Sequence, residues 1–193
     1  MNIKFEKDII IVDDALSEEL IAKLLQYVIE KNSPDCTSIH TNVALLEEAK
    51  EYWYSNLEQL YMNVWLYLNL DGTSSLYKFN KEQLVEIQKF TKTVWRDLYV
   101  LNYHKDNSKD LINQIHADFS NFTFSCALND EYEGGELVFP RQDFSIRLKK
   151  NQMAIFPGGL THPHYTAAVT SGNRFQFIGQ AMPQAQDHEL DRD

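Results

Sequence analysis

The sequence predicts an α+β fold in which helices come first and a jelly-roll barrel, that is a double-stranded β-helix, follows and is buttressed by them. The N-terminal half carries apolar residues at helical spacing. From about Arg96 onward the chain breaks into short β-branched or aromatic runs separated by Gly, Pro, Asn and Asp. Many short strands at such spacing are typical of a sandwich or a jelly roll.

The length indicates a single domain. A chain of 193 residues is long enough for one large core, but two complete domains would be cramped. We divide it into a helical N-terminal elaboration at 1–94, a jelly-roll core at 95–182 and a polar tail at 183–193.

Charge and apolar patterning restrict the partners. The chain has 18 basic and 28 acidic residues, a net charge of −10, and no basic stripe. Nucleic acid is therefore a disfavoured partner, and a basic peptide or a small molecule is more compatible with the negative electrostatic field of the protein. No apolar run approaches the roughly 18 residues of a spanning helix, and no signal segment is recognisable. We expect a soluble, cytoplasmic protein with free thiols at Cys36 and Cys126; its oligomeric state is not predicted.

The N-terminal elements read as a strand followed by helices. A β-branched run at 9–12 precedes Ser17, a predicted N-cap with two glutamates in the first turn. The apolar stripe of this helix comprises Leu20, Ile21, Leu24, Leu25, Val28 and Ile29. Two more helices are predicted, at about 44–67 and from Asn80.

The barrel strands are predicted at DLYVLNY, FTFSCAL, ELVFP, FSIRL, MAIFP, HYTAAV and RFQFIGQ. A turn at 171–173 is expected to precede the last of them, which begins at Arg174. Because strand residues alternate between two faces, Arg174, Gln176 and Ile178 should point into the barrel, with Phe175 and Phe177 packing outward or on the helices.

Two histidine-bearing segments carry the candidate chemistry. His116 and Asp118 stand two positions apart ahead of a strand, so both side chains share one face. His162 and His164 precede a later strand, and either offers a third ligand. Two histidines and one carboxylate form the facial arrangement of non-haem Fe(II) oxygenases. Arg174 suits the far carboxylate of a dicarboxylate cosubstrate, because a guanidinium binds it bidentately.

In combination these pieces resemble the prolyl 4-hydroxylase-like branch of the Fe(II)/2-oxoglutarate-dependent dioxygenases, over roughly 95–182. The matching segments are HAD at 116–118, LNDEYEGGELVFP at 128–140, FPGGLTHPH at 156–164, and the step from His164 to Arg174. The resemblance implies that His116, Asp118 and His164 bind iron, with His162 as the alternative third ligand, and that Arg174 binds the 5-carboxylate of 2-oxoglutarate.

The resemblance also implies further contacts. Tyr103 matches a tyrosine that hydrogen-bonds the cosubstrate, whereas Ala127 stands where some members carry a second tyrosine. Thr123, on the same strand, could substitute for that missing contact. Gly134 and Gly135 are assigned to a turn with positive φ. An apolar lining is expected from Phe122, Phe124, Phe139 and Phe156.

The implied activity is an oxidoreductase reaction. Fe(II) would use O2 and 2-oxoglutarate, with ascorbate compatible, to couple oxidative decarboxylation to succinate and CO2 with hydroxylation of a substrate C–H bond. A prolyl residue of a peptide or protein is the first substrate, and a free amino acid or other small molecule the alternative. An AlkB-like nucleic-acid demethylase and a non-catalytic cupin-like binding barrel rank lower. Region 35–80 is expected to face the substrate.

Overall fold

The structure is a computed structural model that describes residues 2–31, 38–40, 48, 51, 91–106, 114–118, 120 and 122–185. The predicted helices at 44–67 and from Asn80, most of the region 35–80, Cys36, and the tail beyond residue 185 lie outside the described residues.

The described elements are one α-helix, eleven strands and two short 3₁₀ turns. In chain order they are β1 (Ile3–Glu6), β2 (Ile9–Val12), α1 (Glu18–Lys31), β3 (Ser38–His40), β4 (Thr91–His104), β5 (Phe122–Ala127), β6 (Tyr132–Gly134), β7 (Leu137–Phe139), β8 (Phe144–Ile146), β9 (Met153–Pro157), β10 (Tyr165–Thr166) and β11 (Val169–Ala185). The 3₁₀ turns span Pro140–Gln142 and Gly159–Thr161.

Two antiparallel sheets form the barrel, which confirms the predicted jelly roll. The larger sheet has the order β1-β2-β9-β5-β11-β4-β3, with β6 paired to β11, and the smaller has the order β10-β7-β8. Side chains from both sheets share one core cluster, in which Phe156 and Ala154 of the larger sheet meet Leu137 and Phe139 of the smaller. The barrel interior therefore lies between the two sheets.

Helix α1 covers the outer face of the larger sheet. The Ser17 hydroxyl accepts a hydrogen bond from the Leu20 amide at 3.2 Å, the N-cap that the sequence predicts. The buried stripe consists of Leu20, Ile21, Leu24 and Val28. The predicted stripe was too wide, since Ile29 is 63% exposed. Among the described helices none is long and apolar enough to cross a bilayer.

Strand β5 divides its side chains between the helix-facing core and the interior. Phe122, Phe124 and Cys126 pack in the cluster that contains the α1 residues. Burial raises the pKa of the Cys126 thiol, which is free. Thr123 and its neighbours at 125 and 127 alternate to the interior. The expected lining by Phe122 and Phe124 is therefore wrong.

Strand β11 is continuous, so the predicted turn at 171–173 is wrong. Gly172, at φ +76°, allows the strand to continue, since a Cβ there would lie 2.5 Å from the Glu131 carbonyl oxygen. The strand pairs with β6 before this point and with β4 and β5 after it. Arg174 consequently sits inside a long strand.

Candidate functional site

A short antiparallel bridge brings the two histidine-bearing segments together. The His116 amide donates to the His164 carbonyl at 3.0 Å, and the His164 amide donates to the His116 carbonyl at 2.9 Å. Residues directly opposite each other in such a bridge project to the same face. The backbone pairing therefore aligns the two imidazoles, and Asp118, two positions along, joins them.

The three side chains converge on one point. The Asp118 carboxylate lies 3.8 Å from His116 Nε2 and 3.7 Å from His164 Nε2. The candidate donor atoms of all three residues fall within 4.8 Å of one another. The side chains of Asp118 and His164 are 6% and 8% exposed, whereas that of His116 is 55% exposed. The cluster is thus buried on one side and open to solvent on the other.

Both imidazoles are oriented through Nδ1. His116 Nδ1 lies 3.1 Å from the Gln114 carbonyl oxygen, and His164 Nδ1 lies 3.1 Å from the His162 carbonyl oxygen. Carbonyl oxygens only accept, so the proton of each neutral ring belongs on Nδ1 and the lone pair on Nε2 faces the cluster. Burial lowers the pKa of His164, which favours this neutral form.

The Asp118 carboxylate is held by two neighbours. The Thr123 hydroxyl donates to Oδ2 at 2.5 Å, and the Gln180 amide donates to Oδ1 at 3.0 Å. Ser120 extends the network with a 3.0 Å contact to Thr123. The Thr123 hydroxyl, predicted as a cosubstrate contact, therefore contacts the carboxylate of Asp118, a candidate metal ligand, in this structure.

Aromatic rings pack against the buried histidine. The Phe156 and Phe139 rings lie 4.8 Å and 5.7 Å from the His164 ring, centroid to centroid. These two phenylalanines are the part of the predicted lining that does face the site. They make its inner wall apolar and restrict the rotation of the imidazole.

A buried guanidinium occupies a second position on the interior face. Arg174 is 2% exposed, and its Nε and one terminal nitrogen have no hydrogen-bond partner among the described residues. Its guanidinium carbon lies 5.2 Å from the ring centroid of Tyr103, the residue paired with it on β4. Gly135 packs close by, since a Cβ there would lie 2.8 Å from Arg174 Cδ.

Tyr103 faces the same pocket. Burial raises its pKa, while Arg174 and a hydrogen bond with the Thr166 side chain act in the opposite direction. The phenol is therefore neutral near pH 7 and keeps a proton that it can donate. Gly134 and Gly135, as predicted, have positive φ of 75° and 72°.

His162 lies outside the cluster of candidate ligands. Its Nε2 is 3.2 Å from the Lys7 carbonyl oxygen, and its Nδ1 is 3.2 Å from the Thr161 hydroxyl. The ring is buried, and burial lowers its pKa. The backbone carbonyl of His162, rather than its ring, contacts His164.

Two glutamines of β11 were missed as site residues by sequence reasoning. Gln180 reaches the Asp118 carboxylate, and Gln176 is fully buried on the interior face. The available signal was the period of two from Arg174, which places residues 174, 176, 178 and 180 on one face.

The residues present fit a transition metal and an anionic chelator. Two neutral imidazoles and one carboxylate are the donor set of facial non-haem Fe(II) sites and leave coordination positions open. The unpartnered nitrogens of Arg174 fit a carboxylate, because a buried guanidinium without an acceptor is costly.

Part of the sequence is similar to a known family. The model of the 2OG-Fe(II) oxygenase superfamily matches residues 90–179. A curated relative, procollagen-lysine,2-oxoglutarate 5-dioxygenase 1 of Gallus gallus, is 33% identical over 117 residues, which are 55% of this chain and 16% of the relative. The chain thus spans only a small part of the length of that relative.

Solved structures show the same fold. The viral collagen prolyl hydroxylase of Paramecium bursaria Chlorella virus-1 superposes with a TM-score of 0.58 at 15% identity, covering 93% of this chain and 90% of that one. A prolyl hydroxylase of Trichoplax adhaerens, in complex with a hypoxia inducible factor peptide, gives 0.56 at 15% identity, covering 91% and 83%. Residues 90–179 therefore resemble a domain of the 2OG-Fe(II) oxygenase superfamily in sequence, and the chain shares its fold with these solved structures.

Proposed function

We propose that the protein is an Fe(II)- and 2-oxoglutarate-dependent dioxygenase that hydroxylates a side chain in a peptide or protein. One observation carries the proposal: His116, Asp118 and His164 converge in the same barrel interior as the Arg174 guanidinium, two nitrogens of which have no hydrogen-bond partner within the described part of the chain. The first group suits the metal and the second suits the far carboxylate of the cosubstrate.

His116, Asp118 and His164 would hold the metal, with Nε2 of each imidazole and one carboxylate oxygen as donors. When bound, iron and 2-oxoglutarate would allow O2 to act as the oxidant, with one oxygen atom entering succinate as 2-oxoglutarate loses CO2 and the other entering the substrate C–H bond. The Nδ1 contacts to backbone carbonyls fix both rings, and Thr123 and Gln180 fix the carboxylate. Removal of such supporting contacts commonly changes metal affinity about 10–100-fold, and we expect a change of this order here.

Arg174 would bind the 5-carboxylate of 2-oxoglutarate, and Tyr103 would donate a hydrogen bond to the same molecule. Both groups are buried, so a carboxylate bound there is shielded from water and its ion pair is strengthened. Phe139 and Phe156 exclude water from the inner wall beside His164. The exposed His116 marks the open side, from which we expect the substrate to approach.

A prolyl residue is the first candidate substrate. It follows from the motif resemblance, and solved proteins with the same fold are named as prolyl hydroxylases. A lysyl residue is the second candidate, because the curated relative similar in sequence is a procollagen-lysine dioxygenase. The net charge of −10 also favours a cationic side chain.

Succinate release tests the proposal. Protein with Fe(II), 2-oxoglutarate and ascorbate is incubated with otherwise identical peptides containing a single proline, a single lysine, or alanine at that position. We expect turnover above the alanine control for the proline peptide or, on the second candidate, for the lysine peptide. Free amino acids and methylated oligonucleotides complete the panel, and stimulation by oligonucleotides alone would overturn the peptide assignment.

The Asp118→Ala variant tests the metal site separately. Wild-type protein with Fe(II), kept anaerobic, should develop a visible absorption band on addition of 2-oxoglutarate, and the variant should not. If the wild type remains colourless and has no affinity for 2-oxoglutarate, the dioxygenase proposal fails and a binding barrel without turnover becomes the better reading.

A further inference from the structure

Gln176 lies in the part of the interior between the two ends of the candidate site. It is fully buried in β11 and shares a strand face with Arg174, two residues before it. Four residues after it on the same face, Gln180 contacts Asp118. The Gln176 amide is therefore positioned along the line that a molecule bridging the metal and the guanidinium would follow.

One end of the Gln176 amide is anchored and the other is not. Its nitrogen is assigned to the contact with the Ser125 hydroxyl, at 2.8 Å, and its oxygen has no hydrogen-bond partner among the described residues. A buried amide end without a partner is costly, and in native proteins each such group calls for an explanation. The amide therefore has unused hydrogen-bonding capacity inside the barrel.

The neighbouring strand carries small side chains opposite this amide. Gln176 pairs directly with Ala127 on β5, whose interior side chain is a single methyl group. Further along the same face, Ser125 anchors the amide and Thr123 contacts Asp118.

We propose that Gln176 binds the 2-oxo-dicarboxylate cosubstrate and, together with Arg174, positions its distal carboxylate. This inference rests on the proposed function. A serine hydroxyl both donates and accepts, so the amide can turn with Ser125 donating to its oxygen. The NH2 group then faces the carboxylate. In the unturned orientation, the Gln176 amide oxygen would face the carboxylate and repel it. In the turned orientation, the oxygen accepts from Ser125 and the NH2 group donates to the carboxylate, so both ends of the amide have a partner.

Ligand binding in the presence of Mn(II), which replaces iron without turnover, tests the assignment. Gln176→Met removes the amide at similar length, and Gln176→Glu introduces a like charge. We expect the Kd for 2-oxoglutarate by calorimetry to rise about 10–100-fold in the first variant, as for a lost hydrogen bond to a charged group, and further in the second. Gln26→Met, on the exposed face of α1, is the matched control and should bind like the wild type.

Titration with oxalate as a second ligand distinguishes a direct contact of Gln176 with the distal carboxylate from a general effect of the substitution on the fold. It chelates a metal but has no distal carboxylate, so Gln176→Met and the wild type should bind it equally well. Weakening of both ligands by the same factor would mean a structural role and overturn the proposal, as would unchanged affinity for 2-oxoglutarate.

Two further outcomes are distinguishable. If Gln176→Met does not fold, Ser125→Ala, which frees the anchored end of the amide, should raise the Kd for 2-oxoglutarate and leave that for oxalate unchanged; equal effects on both would overturn the proposal. If wild-type protein binds oxalate but not 2-oxoglutarate, the proposed function itself fails.

Discussion

Replacing Arg174 with methionine should change stability and cosubstrate affinity in opposite directions. Without ligand, two nitrogens of the buried guanidinium have no partner among the described residues. Removing these buried, unsatisfied donors should raise the free energy of unfolding by about 1–3 kcal/mol. Loss of the contact between the guanidinium and the Tyr103 ring, 5.2 Å apart, costs about 1 kcal/mol. We therefore expect the free energy of unfolding of the ligand-free variant to be unchanged or higher by up to about 2 kcal/mol.

The effect on binding should be much larger. A bidentate guanidinium supplies two charge-assisted hydrogen bonds to a carboxylate, at about 1.5–3 kcal/mol each. Losing both predicts a Kd for 2-oxoglutarate higher by about 10²–10⁴-fold. For a chain of this size, each kcal/mol of added stability raises Tm by roughly 2–4 °C. Thermal unfolding of the ligand-free protein and calorimetric titration of the Mn(II) form measure the two effects.

Arg147→Met is the control, because it removes the same charge from a side chain that is 38% exposed. Arg147 donates to the Tyr132 carbonyl and contacts Glu133. Its loss should reduce stability and leave cosubstrate affinity unchanged. The reasoning is refuted if Arg174→Met lowers Tm by more than about 5 °C while 2-oxoglutarate still binds with wild-type affinity, since Arg174 would then be a structural residue with satisfied partners.

Three more predictions address the Asp118 carboxylate and the loop at residues 158–164. Thr123→Val removes the hydrogen bond to Asp118 and should weaken Mn(II) binding by about 10–100-fold. Thr123→Ser keeps the hydroxyl and should bind Mn(II) like the wild type. Equal Mn(II) affinities of the valine and serine variants would exclude a role of this hydroxyl in metal binding. Gly158→Ala would place a Cβ 2.2 Å from the Ser120 carbonyl oxygen and should destabilise the fold by roughly 3 kcal/mol or more. Gly159→Ala meets open space at φ +76° and should cost only about 1 kcal/mol in urea unfolding; a reversed order would contradict the local geometry. His162→Phe removes the hydrogen bond to the Lys7 carbonyl in the N-terminal hairpin and should lower the free energy of unfolding by about 1–3 kcal/mol. His162→Gln keeps a donor and should recover part of this loss. If His162 were a metal ligand, His162→Phe would instead abolish Mn(II) binding.

The sequence by itself determined the fold class and brought the candidate residues into view. Strand-length runs punctuated by turn residues predicted the jelly roll, because a period of two and its breaks are properties of the local chain. The same period put His116 and Asp118 on one face and Arg174 in the interior. The motif combination then indicated the family, and its spacing to the arginine and its Pro-His dipeptide favoured His164 over His162 as the third ligand.

Only the tertiary structure decided what depends on contacts between distant strands. The continuation of β11 through residues 171–173 depends on its pairing with β6. The local sequence does not show that pairing, so Gly172 was predicted to lie in a turn. The exclusion of Phe122 and Phe124 from the site depends on which face of β5 meets α1. The anchored and unanchored ends of the Gln176 amide depend on a hydroxyl 51 residues away in sequence. Local patterns give the face of each residue, whereas only the packed strands determine which side chain it meets there.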